Sequence, residues 1–258
     1  MKKFTKLTAF ALALVMALGL LAGCGSSNSD TNTSGDDAAK TKLVVATSPD
    51  FPPFESLEGG EVVGIEVDIL NKVAEKMGME LDIQQMDFDS VIPGVQAGKF
   101  DVGMSGITVT DKRKENVDFS SVYFMAAQAI VVTADSGITG KADLEGKKVS
   151  VQTGTTAEEY CMGNGYEVLA FTANNDAAAA LTSGKVDAWV VDNEVALAMA
   201  PELGLTVLDE AMTSEPYAFA FQKGSELVTP FNEALNALLS DGAVEQIFQQ
   251  YGVTYIAP

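Results

Sequence analysis

The fold is decided by residues 148–192, which read KVSVQTGTTAEEYCMGNGYEVLAFTANNDAAAALTSGKVDAWVVD. Short apolar runs in this stretch predict strands, and the longer segments between them predict helices. Strands that alternate with helices of this length favour right-handed βαβ units and a parallel sheet. The predicted order is strand 148–152, helix 155–163, strand 167–171, helix 175–183, strand 187–191 and helix 193–200.

The same alternation is present earlier in the chain, from residue 42 onward. Apolar residues on one helical face and a glycine after it indicate a helix that ends at Gly78. A second helix is predicted to be capped by Asp89 and to end at Gly98. The predicted order is strand Leu43–Thr47, helix Val67–Met77, strand Met79–Gln84, helix 89–96 and strand Val102–Ser105.

A weak internal repeat links the two series. Residues 97–101 read AGKFD and residues 183–187 read SGKVD, and each copy lies between a predicted helix and a predicted strand. This pattern is also a common helix-to-strand turn, so chance is the alternative. Two lobes with similar wiring are the sharper interpretation, and they predict a cleft between the lobes.

The C-terminal segment returns to strand and helix. Tyr217–Phe221 is predicted to be a strand, followed by helices at Leu227–Leu239 and Val244–Tyr251. If this segment packs on the first lobe, the chain crosses between lobes twice, near Tyr123–Ala127 and Glu215–Ala218. The predicted fold class is therefore α/β, with two lobes, each a mixed, mainly parallel sheet flanked by helices, and a two-strand hinge.

The first residues look like an export signal. Three lysines precede the uncharged apolar run Ala9–Leu21, which is short for a membrane span. Cys24 follows Leu-Ala-Gly, and this stretch resembles the bacterial lipoprotein lipobox. The resemblance implies cleavage before Cys24 and a lipid on its sulfur, and acylation by two or more chains anchors stably. Residues 25–39 contain no large apolar side chain and suit a flexible tether. An ordinary signal peptide with a chance cysteine is the alternative.

Composition excludes several classes of function. The formal charge is −20, with 16 Lys+Arg against 36 Asp+Glu, which disfavours a nucleic-acid partner. Because the chain has no histidine, Ser-His-Asp and Cys-His catalysis and histidine-ligated zinc are excluded. Apart from Cys24, Cys161 is the only cysteine, and it is expected to be a buried small apolar residue. We therefore expect no metal and no cofactor.

The first candidate site is the stretch MSGITVTDKR, residues 104–113. A predicted strand ends at Gly106, and the backbone there, the Thr108 hydroxyl and the Arg113 guanidinium can converge on a carboxylate. A charge-assisted Arg–carboxylate pair contributes on the order of 1.5–3 kcal/mol. A basic surface turn with a solvated Arg113 is an equally good interpretation of this segment alone.

Two further candidates lie at strand ends. Gln152 is followed by Thr155 and Thr156 at a predicted helix N-terminus, where free N–H groups attract anions. Asp192 ends a predicted buried strand, where open α/β sheets bind ligands, and it suits an ammonium group. Helix capping by the threonines and by Asp192 is the alternative in each case. Together the candidates match the charges of an amino-acid zwitterion.

From about Lys42 to Tyr251 the chain resembles the family 3 bacterial extracellular solute-binding proteins, the polar amino-acid receptors of ABC importers. The resemblance is strong because the order and spacing of the motifs agree, not because of any single motif. The stretches are Phe51–Glu55, Gly64–Asp68, Ile92-Pro93, Gly106–Arg113, Val117–Ser120 with Tyr123, Gly154–Thr156 and Asp192.

The resemblance implies a type II periplasmic-binding-protein-like fold whose lobes close on a ligand. It also implies the following roles. Arg113 binds the ligand carboxylate, helped by Thr108, Gly106 and Thr156, and Asp192 binds the α-ammonium. The ligand-binding set is completed by Phe51 and Phe88 around the aliphatic part and by Ser105, Gln152 and Thr155, with Ser48 as a further contributor.

Specificity is left open by the sequence. Relatives that bind cationic amino acids, as well as some glutamine receptors, often carry an acid where this chain has Ser48. Glutamine receptors carry basic or imidazole groups at the positions of Gln152 and Val191. An L-amino acid is expected, without a named side chain. Asp50, Glu55 and Glu159 keep a cationic ligand open.

The expected whole is a monomeric, lipid-anchored receptor on the extracytoplasmic face of the bacterial cell membrane, which serves an ABC transporter permease. A sensing module for a signalling partner and a dehydratase-like enzyme on the same fold are the alternatives. The expected organisation is signal peptide 1–23, lipidated Cys24 (palmitate or a similar chain) with a tether to 41, lobe 1 at 42–124 and 219–258, and lobe 2 at 125–218.

Overall fold

A computed structural model describes residues 41–258. The predicted signal peptide, Cys24 and all but the last residue of the tether lie outside the described residues. The described strands are β1 (Lys42–Thr47), β2 (Asp50–Phe51), β3 (Glu55–Glu58), β4 (Glu61–Val63), β5 (Glu80–Gln85), β6 (Val102–Gly103), β7 (Val117–Phe119), β8 (Phe124–Ala126), β9 (Gln128–Val132), β10 (Lys148–Gln152), β11 (Glu167–Phe171), β12 (Ala188–Asp192), β13 (Thr206–Val207), β14 (Glu215–Tyr217) and β15 (Ala220–Gln222).

Helices connect most of the parallel strands. They are α1 (Ile65–Met77), α2 (Phe88–Gln96), α3 (Asp111–Lys114), α4 (Thr156–Gly163), α5 (Asn174–Thr182), α6 (Asn193–Met199), α7 (Val228–Ser240) and α8 (Ala243–Gln250), with one 3₁₀ turn at Lys141–Leu144. Within residues 41–258, no helix has both the length and the apolar composition that crossing a bilayer requires.

Each lobe is built on one five-stranded sheet. The first has the order β5-β1-β6-β15-β7, with β5 and β6 parallel to β1 and with β15 antiparallel to both its neighbours. The second has the order β11-β10-β12-β9-β13, with β11 and β12 parallel to β10 and with β9 antiparallel to both its neighbours. The two sheets therefore share the same arrangement of strands, in which three parallel strands are followed by an antiparallel one.

The sequence repeat occupies equivalent places in the two sheets. Asp101 precedes β6, donates its N–H to Val44 O at 2.8 Å and accepts the Val44 N–H on its carboxylate at 2.8 Å. Asp187 precedes β12 and makes the same two contacts with Lys148, both at 2.8 Å. The aspartate in each copy thus ties the incoming strand to the first strand of its sheet, which gives the repeat a structural reason.

Two chain segments connect the lobes, and they pair as an antiparallel ribbon. β8 and β14 form this ribbon, with Tyr217 opposite Phe124 and Glu215 opposite Ala126. The ribbon lies where the sequence predicts the two crossings. Beside it, β2, β3 and β4 form a small antiparallel sheet that brings Asp50 and Phe51 to the cleft.

The helices of the first lobe pack through the predicted apolar face. Ile69, Leu70 and Val73 of α1 are fully buried, and α1 packs against α7 and α8. Gly78 ends α1 in the left-handed conformation, at φ +68°, as predicted. The C-terminal helices therefore return to the first lobe.

Most predicted bounds shift by one or two residues, and two predictions are wrong in more than their bounds. The second helix begins at Phe88 with Asp87 as its N-cap, so Asp89 lies in its first turn and is not the cap. Tyr217–Phe221 is not one strand, because the chain leaves the ribbon after Tyr217 and enters the first sheet at Ala220. Between them, the Ala218 N–H bonds to Ile107 O at 3.1 Å, which makes the turn from one sheet to the other.

Candidate functional site

A cavity of about 350 Å³, counting the part open to solvent, lies between the two sheets. Concave sites between two lobes are common places for small molecules to bind. All ten residues predicted to bind ligand lie on it, together with five that were not predicted. The lining is Phe51, Phe88, Ser105, Gly106, Thr108, Arg113, Gln128, Gln152, Thr155, Thr156, Ala157, Asn174, Val190, Val191 and Asp192.

Arg113 turns into the cavity from α3. Thr110 caps α3 by accepting the Arg113 N–H at 3.1 Å, and the guanidinium then donates to Thr108 O at 2.9 Å and Gly154 O at 3.1 Å. Its neighbours Lys112 and Lys114 are exposed, with 73% and 55% of their side chains accessible. The segment is therefore not a uniformly solvated basic turn.

The Arg113 guanidinium lies 5.6 Å from the centre of the Phe88 ring, within the range of a cation–π contact. Burial lowers its pKa, and Glu159, Glu215 and Asp192 oppose that shift. Because an arginine titrates so far above neutrality, the group stays charged. The cavity therefore holds one fixed cation, and it comes from the first lobe.

Asp192 lies on the cavity from the second lobe. It occupies the N-cap position of α6, but its side chain makes no capping bond there. Instead, the carboxylate accepts hydrogen bonds from Gln128 Nε2 and the Tyr217 hydroxyl. Burial, and then nearby Glu215, raise its pKa to about 8, against the opposing effects of Tyr217, Arg113 and Gln128. The capping alternative therefore does not hold for this side chain.

Gln128, the first residue of β9, was not predicted. Its Nε2 also donates to Thr156 Oγ1 at 3.2 Å, so it links Asp192 to the start of α4. Its Oε1 is buried without a hydrogen-bond partner among the described residues. A buried acceptor without a partner is costly, so this oxygen is suited to a donor on a ligand. A lone polar residue at the start of an otherwise apolar strand was the available signal.

The two threonines at the start of α4 have different hydrogen-bonding roles. Thr155 is the N-cap, because its hydroxyl accepts the Glu158 N–H at 3.1 Å and donates to Gln152 O at 2.7 Å. Thr156 is the first helical residue, and its hydroxyl lies beside Gln128. The capping interpretation is thus right for Thr155. Its hydroxyl occupies the Glu158 N–H, so the N–H groups of Thr156 and Ala157 are the ones left for an anion.

The turn after β6 differs from the prediction. The Gly106 N–H donates to Glu66 Oε2 at 2.9 Å, so it is not available to a ligand carboxylate. The local sequence could not show this, because Glu66 lies forty positions away. Gly106 has φ +53°, and a Cβ there would lie 2.4 Å from a ring carbon of Phe51. Its backbone contribution to the cavity therefore falls to the carbonyl group.

A buried carboxyl pair lies behind this turn. Glu55 and Glu66 are both fully buried, and Glu66 also accepts the Tyr123 hydroxyl. Burial, and then the neighbouring Glu66, raise the pKa of Glu55 well above its ordinary value. Because neighbouring carboxylates repel each other, the proximity of Glu66 adds to the effect of burial on the pKa of Glu55.

A second polar group on the lining consists of Gln152 and Asn174, which are 3% and 1% exposed. Asn174 Nδ2 donates to Gln152 Oε1 at 2.9 Å, and Gln152 Nε2 donates to Asp50 of the first lobe at 3.2 Å. Asn174 was not predicted because it reads as an ordinary helix start. Of the acids considered for a negative pocket, Glu159 lies outside, where it pairs with Lys112.

The aromatic residues separate into wall and core. Phe51 and Phe88 are 8% and 9% exposed and line the cavity, whereas Phe54 is fully buried beside Phe51, at 5.7 Å between ring centres. Within residues 41–258, no group of three or more acidic or cysteine side chains is arranged to hold a metal ion.

Comparison with known proteins gives consistent matches. The family model of the bacterial extracellular solute-binding proteins, family 3, matches residues 43–254. ArtP of Bacillus subtilis (strain 168), an arginine-binding extracellular protein, is 36% identical over 239 residues, covering 90% of this chain and 92% of ArtP. An ancestral arginine-binding protein bound to glutamine is 40% identical with a TM-score of 0.78. A second solved structure, of an ancestral arginine-binding protein bound to arginine, is also 40% identical, with a TM-score of 0.77. Each of these two structures matches over 82% of this chain and 98% of its own chain.

Proposed function

Because the chain belongs to the bacterial extracellular solute-binding proteins of family 3, we propose that it binds a free L-amino acid between its lobes and delivers it to the permease of an ABC importer. The predicted family and the two-lobed α/β fold are confirmed. The named relatives are binding proteins of amino acids, in agreement with the expectation that the chain is not an enzyme. The proposed lobes are 42–124 with 219–258, and 125–218.

One observation carries the proposal: Arg113 and Asp192 approach the same small cavity from different lobes. Their charges match the carboxylate and ammonium of a zwitterion. In the proposed pose, the carboxylate is held by Arg113 and by the first N–H groups of α4, with the Thr108 hydroxyl beside it. A bidentate guanidinium contact fixes the orientation of a carboxylate as well as adding affinity.

The ammonium is placed against oxygen acceptors. Asp192, Gln128 Oε1 and the Gly106 carbonyl supply them, since the Gly106 N–H is already bonded to Glu66. A positive group beside Asp192 favours its ionised form, so binding lowers the pKa that burial has raised. Phe51 and Phe88 cover the aliphatic part of the ligand, and Ser105, Gln152 and Thr155 complete the wall.

Closure of the lobes is the proposed mechanism. Residues of both lobes touch the cavity, so a ligand there gains contacts in the closed form that an open form cannot offer. This differential affinity is what shifts an open–closed equilibrium. Removing water from around the two charges also strengthens their attraction for the zwitterion, provided that each charge is fully partnered.

We further propose that the chain is anchored outside the cell by a lipid on Cys24 and acts as a monomer. The lipobox-like stretch before Cys24, which lies outside the described residues, supports the anchor. The monomer is proposed because both lobes must move for the cleft to open and close. Exchange of Cys24 for serine should move the protein from the membrane fraction to the medium. Retention of the variant on the membrane would contradict the anchor without affecting the binding proposal.

Calorimetry of the soluble domain against the twenty amino acids and cystine tests the binding proposal. At least one should bind, and Arg113→Ala should weaken it by at least 100-fold, because a charge-assisted pair is lost and the ligand carboxylate is left buried. The matched control is Lys114→Ala, on the same helix but exposed, which should change the affinity less than threefold. Binding that survives Arg113→Ala within a few-fold would show that the site is wrong.

A further inference from the structure

The side-chain end of the proposed ligand is the part that the zwitterion contacts leave undefined. On the cavity wall, the polar side chains that the zwitterion contacts leave over are Ser105, Thr155, Gln152 and Asn174. The hydroxyls of Ser105 and Thr155 already accept the N–H groups of Ser48 and Glu158, so the amides of Gln152 and Asn174 are the main groups for the side chain. Asp50, which comes from the opposite lobe, bonds directly to the Gln152 amide and to the main chain of Asn174, and the Asn174 amide is held in turn by Gln152. The Asp50 carboxylate accepts Gln152 Nε2 at 3.2 Å and the Asn174 N–H at 2.7 Å.

Asp50 has only neutral donors around it. The third is the Ser48 hydroxyl, at 2.9 Å. Among residues 41–258, no lysine or arginine forms an ion pair with Asp50. Its negative charge is therefore balanced by no neighbouring cation, and the Gln152 side chain lies between it and the cavity, where charges are screened less than in water.

The carboxylate also fixes which end of each amide faces the ligand. Because Gln152 directs its NH₂ group to Asp50 and Asn174 directs its NH₂ group to Gln152, the amide oxygens are the groups left over. A carbonyl oxygen has two lone pairs, so Gln152 Oε1 has room for a second hydrogen bond beside that from Asn174. This part of the wall therefore presents acceptors with a negative charge behind them.

Acidic side chains outnumber basic ones around the cavity as a whole. Asp50, Asp192, Glu215 and the Glu55–Glu66 pair contribute carboxyl groups, whereas Arg113 is the one cation on the lining. A zwitterion adds no net charge to this set. A ligand with a positive side chain is attracted by Asp50, which no cation of the protein neutralises, whereas a neutral side chain is not.

We infer that Asp50 makes this site selective for an L-amino acid with a cationic side chain, acting through the amides of Gln152 and Asn174. Asp50 is a positioning and charge-setting residue, and the amide oxygens are the groups that touch the side chain. The inference rests on the proposed function, since it concerns only the side-chain end of a bound amino acid.

The test compares L-arginine with L-citrulline, which has nearly the same shape but a neutral end group. By calorimetry, the unaltered protein should bind arginine at least tenfold more tightly than citrulline. Asp50→Asn keeps the shape and removes the charge, and it should reduce this ratio to threefold or less, mainly through weaker arginine binding. Because both ligands are measured on the same variant, any general loosening of the lobes cancels in the ratio.

Asp135→Asn is the charge-matched control, since Asp135 is exposed, and it should leave the ratio unchanged. The inference is overturned if the unaltered protein binds citrulline as tightly as arginine, or if Asp50→Asn keeps the original ratio. If glutamine or another neutral amino acid binds and arginine does not, this inference falls while the proposed function stands. If none of the amino acids binds, the proposed function itself fails.

Discussion

Replacing Asp192 by asparagine should make the ligand-free protein more stable at pH 8 while removing amino-acid binding. Burial raises the pKa of this carboxyl from its ordinary value of 3.8 to about 8. Between these two values the folded protein holds a proton that the unfolded chain has released, so stability falls as the pH rises. Below pH 4 both states are protonated, and above pH 8 both are ionised, so the change is confined to that window.

The size of the effect follows from the shift. One pKa unit corresponds to about 1.4 kcal/mol, so at pH 7 the buried carboxyl costs about 4 kcal/mol in the closed protein. Opening of the cleft hydrates Asp192 and reduces this cost. If half of it is retained, Asp192→Asn gains about 2 kcal/mol, or roughly 4–8 °C in melting temperature for a domain of this size.

The assay is thermal unfolding of the parent and the variant without ligand, at pH 4 and pH 8. The informative quantity is the difference in melting temperature between variant and parent at pH 8, minus the same difference at pH 4. This subtraction removes the effects of other carboxyls. Asp135→Asn is again the control for net charge and should show no such difference. An Asp192→Asn protein that gains nothing at pH 8, or that still binds an amino acid within tenfold of the parent, would refute the reasoning.

Three further predictions concern the cleft and the second lobe. Gly106→Ala should abolish binding and lower the free energy of unfolding by about 1–3 kcal/mol, because the added Cβ would lie 2.4 Å from the Phe51 ring at a φ of +53°. Calorimetry measures the affinity and urea unfolding measures the stability. An unchanged affinity would contradict the tight turn. Lys112→Ala removes only an exposed pair with Glu159, so the affinity should change less than threefold, and a tenfold loss would mean that this pair holds the lobes together. Burial raises the pKa of Cys161 to about 12, so its thiol should resist a thiol reagent in the native protein at pH 8 and react at once in guanidinium, whereas rapid native labelling would contradict the packing.

The sequence predicted the order of elements because hydrophobic period and turn residues act locally. Strands at 148–152 and 167–171 are found at those bounds, and the repeated Asp101 and Asp187 occupy equivalent positions. The strand predicted at Tyr217–Phe221 is wrong as a single element, since its residues are apolar and aromatic throughout while the change of sheet is set by partners far along the chain.

In the site, too, some features follow from local sequence and others from residues far along the chain. Strand ends and helix starts identified residues that do line one cavity, because both motifs lie at the same edge of a sheet. The direction of the Gly106 N–H depends on Glu66, and the partners of Asp192 depend on Tyr217 and Gln128. Such pairings join residues that are 25 to 64 positions apart, and no local pattern encodes them.

The bonds that cross the cleft have a consequence for the speed of loading. Arg113 to Gly154 O, and Asp50 to Gln152 and Asn174, join protein groups on both sides and need no atom of a guest molecule. These bonds favour the closed arrangement of the lobes and must break before the cleft opens, so we expect a ligand to enter slowly. The same bonds oppose opening after a ligand has bound, so slow entry and slow release are expected to come from one set of contacts.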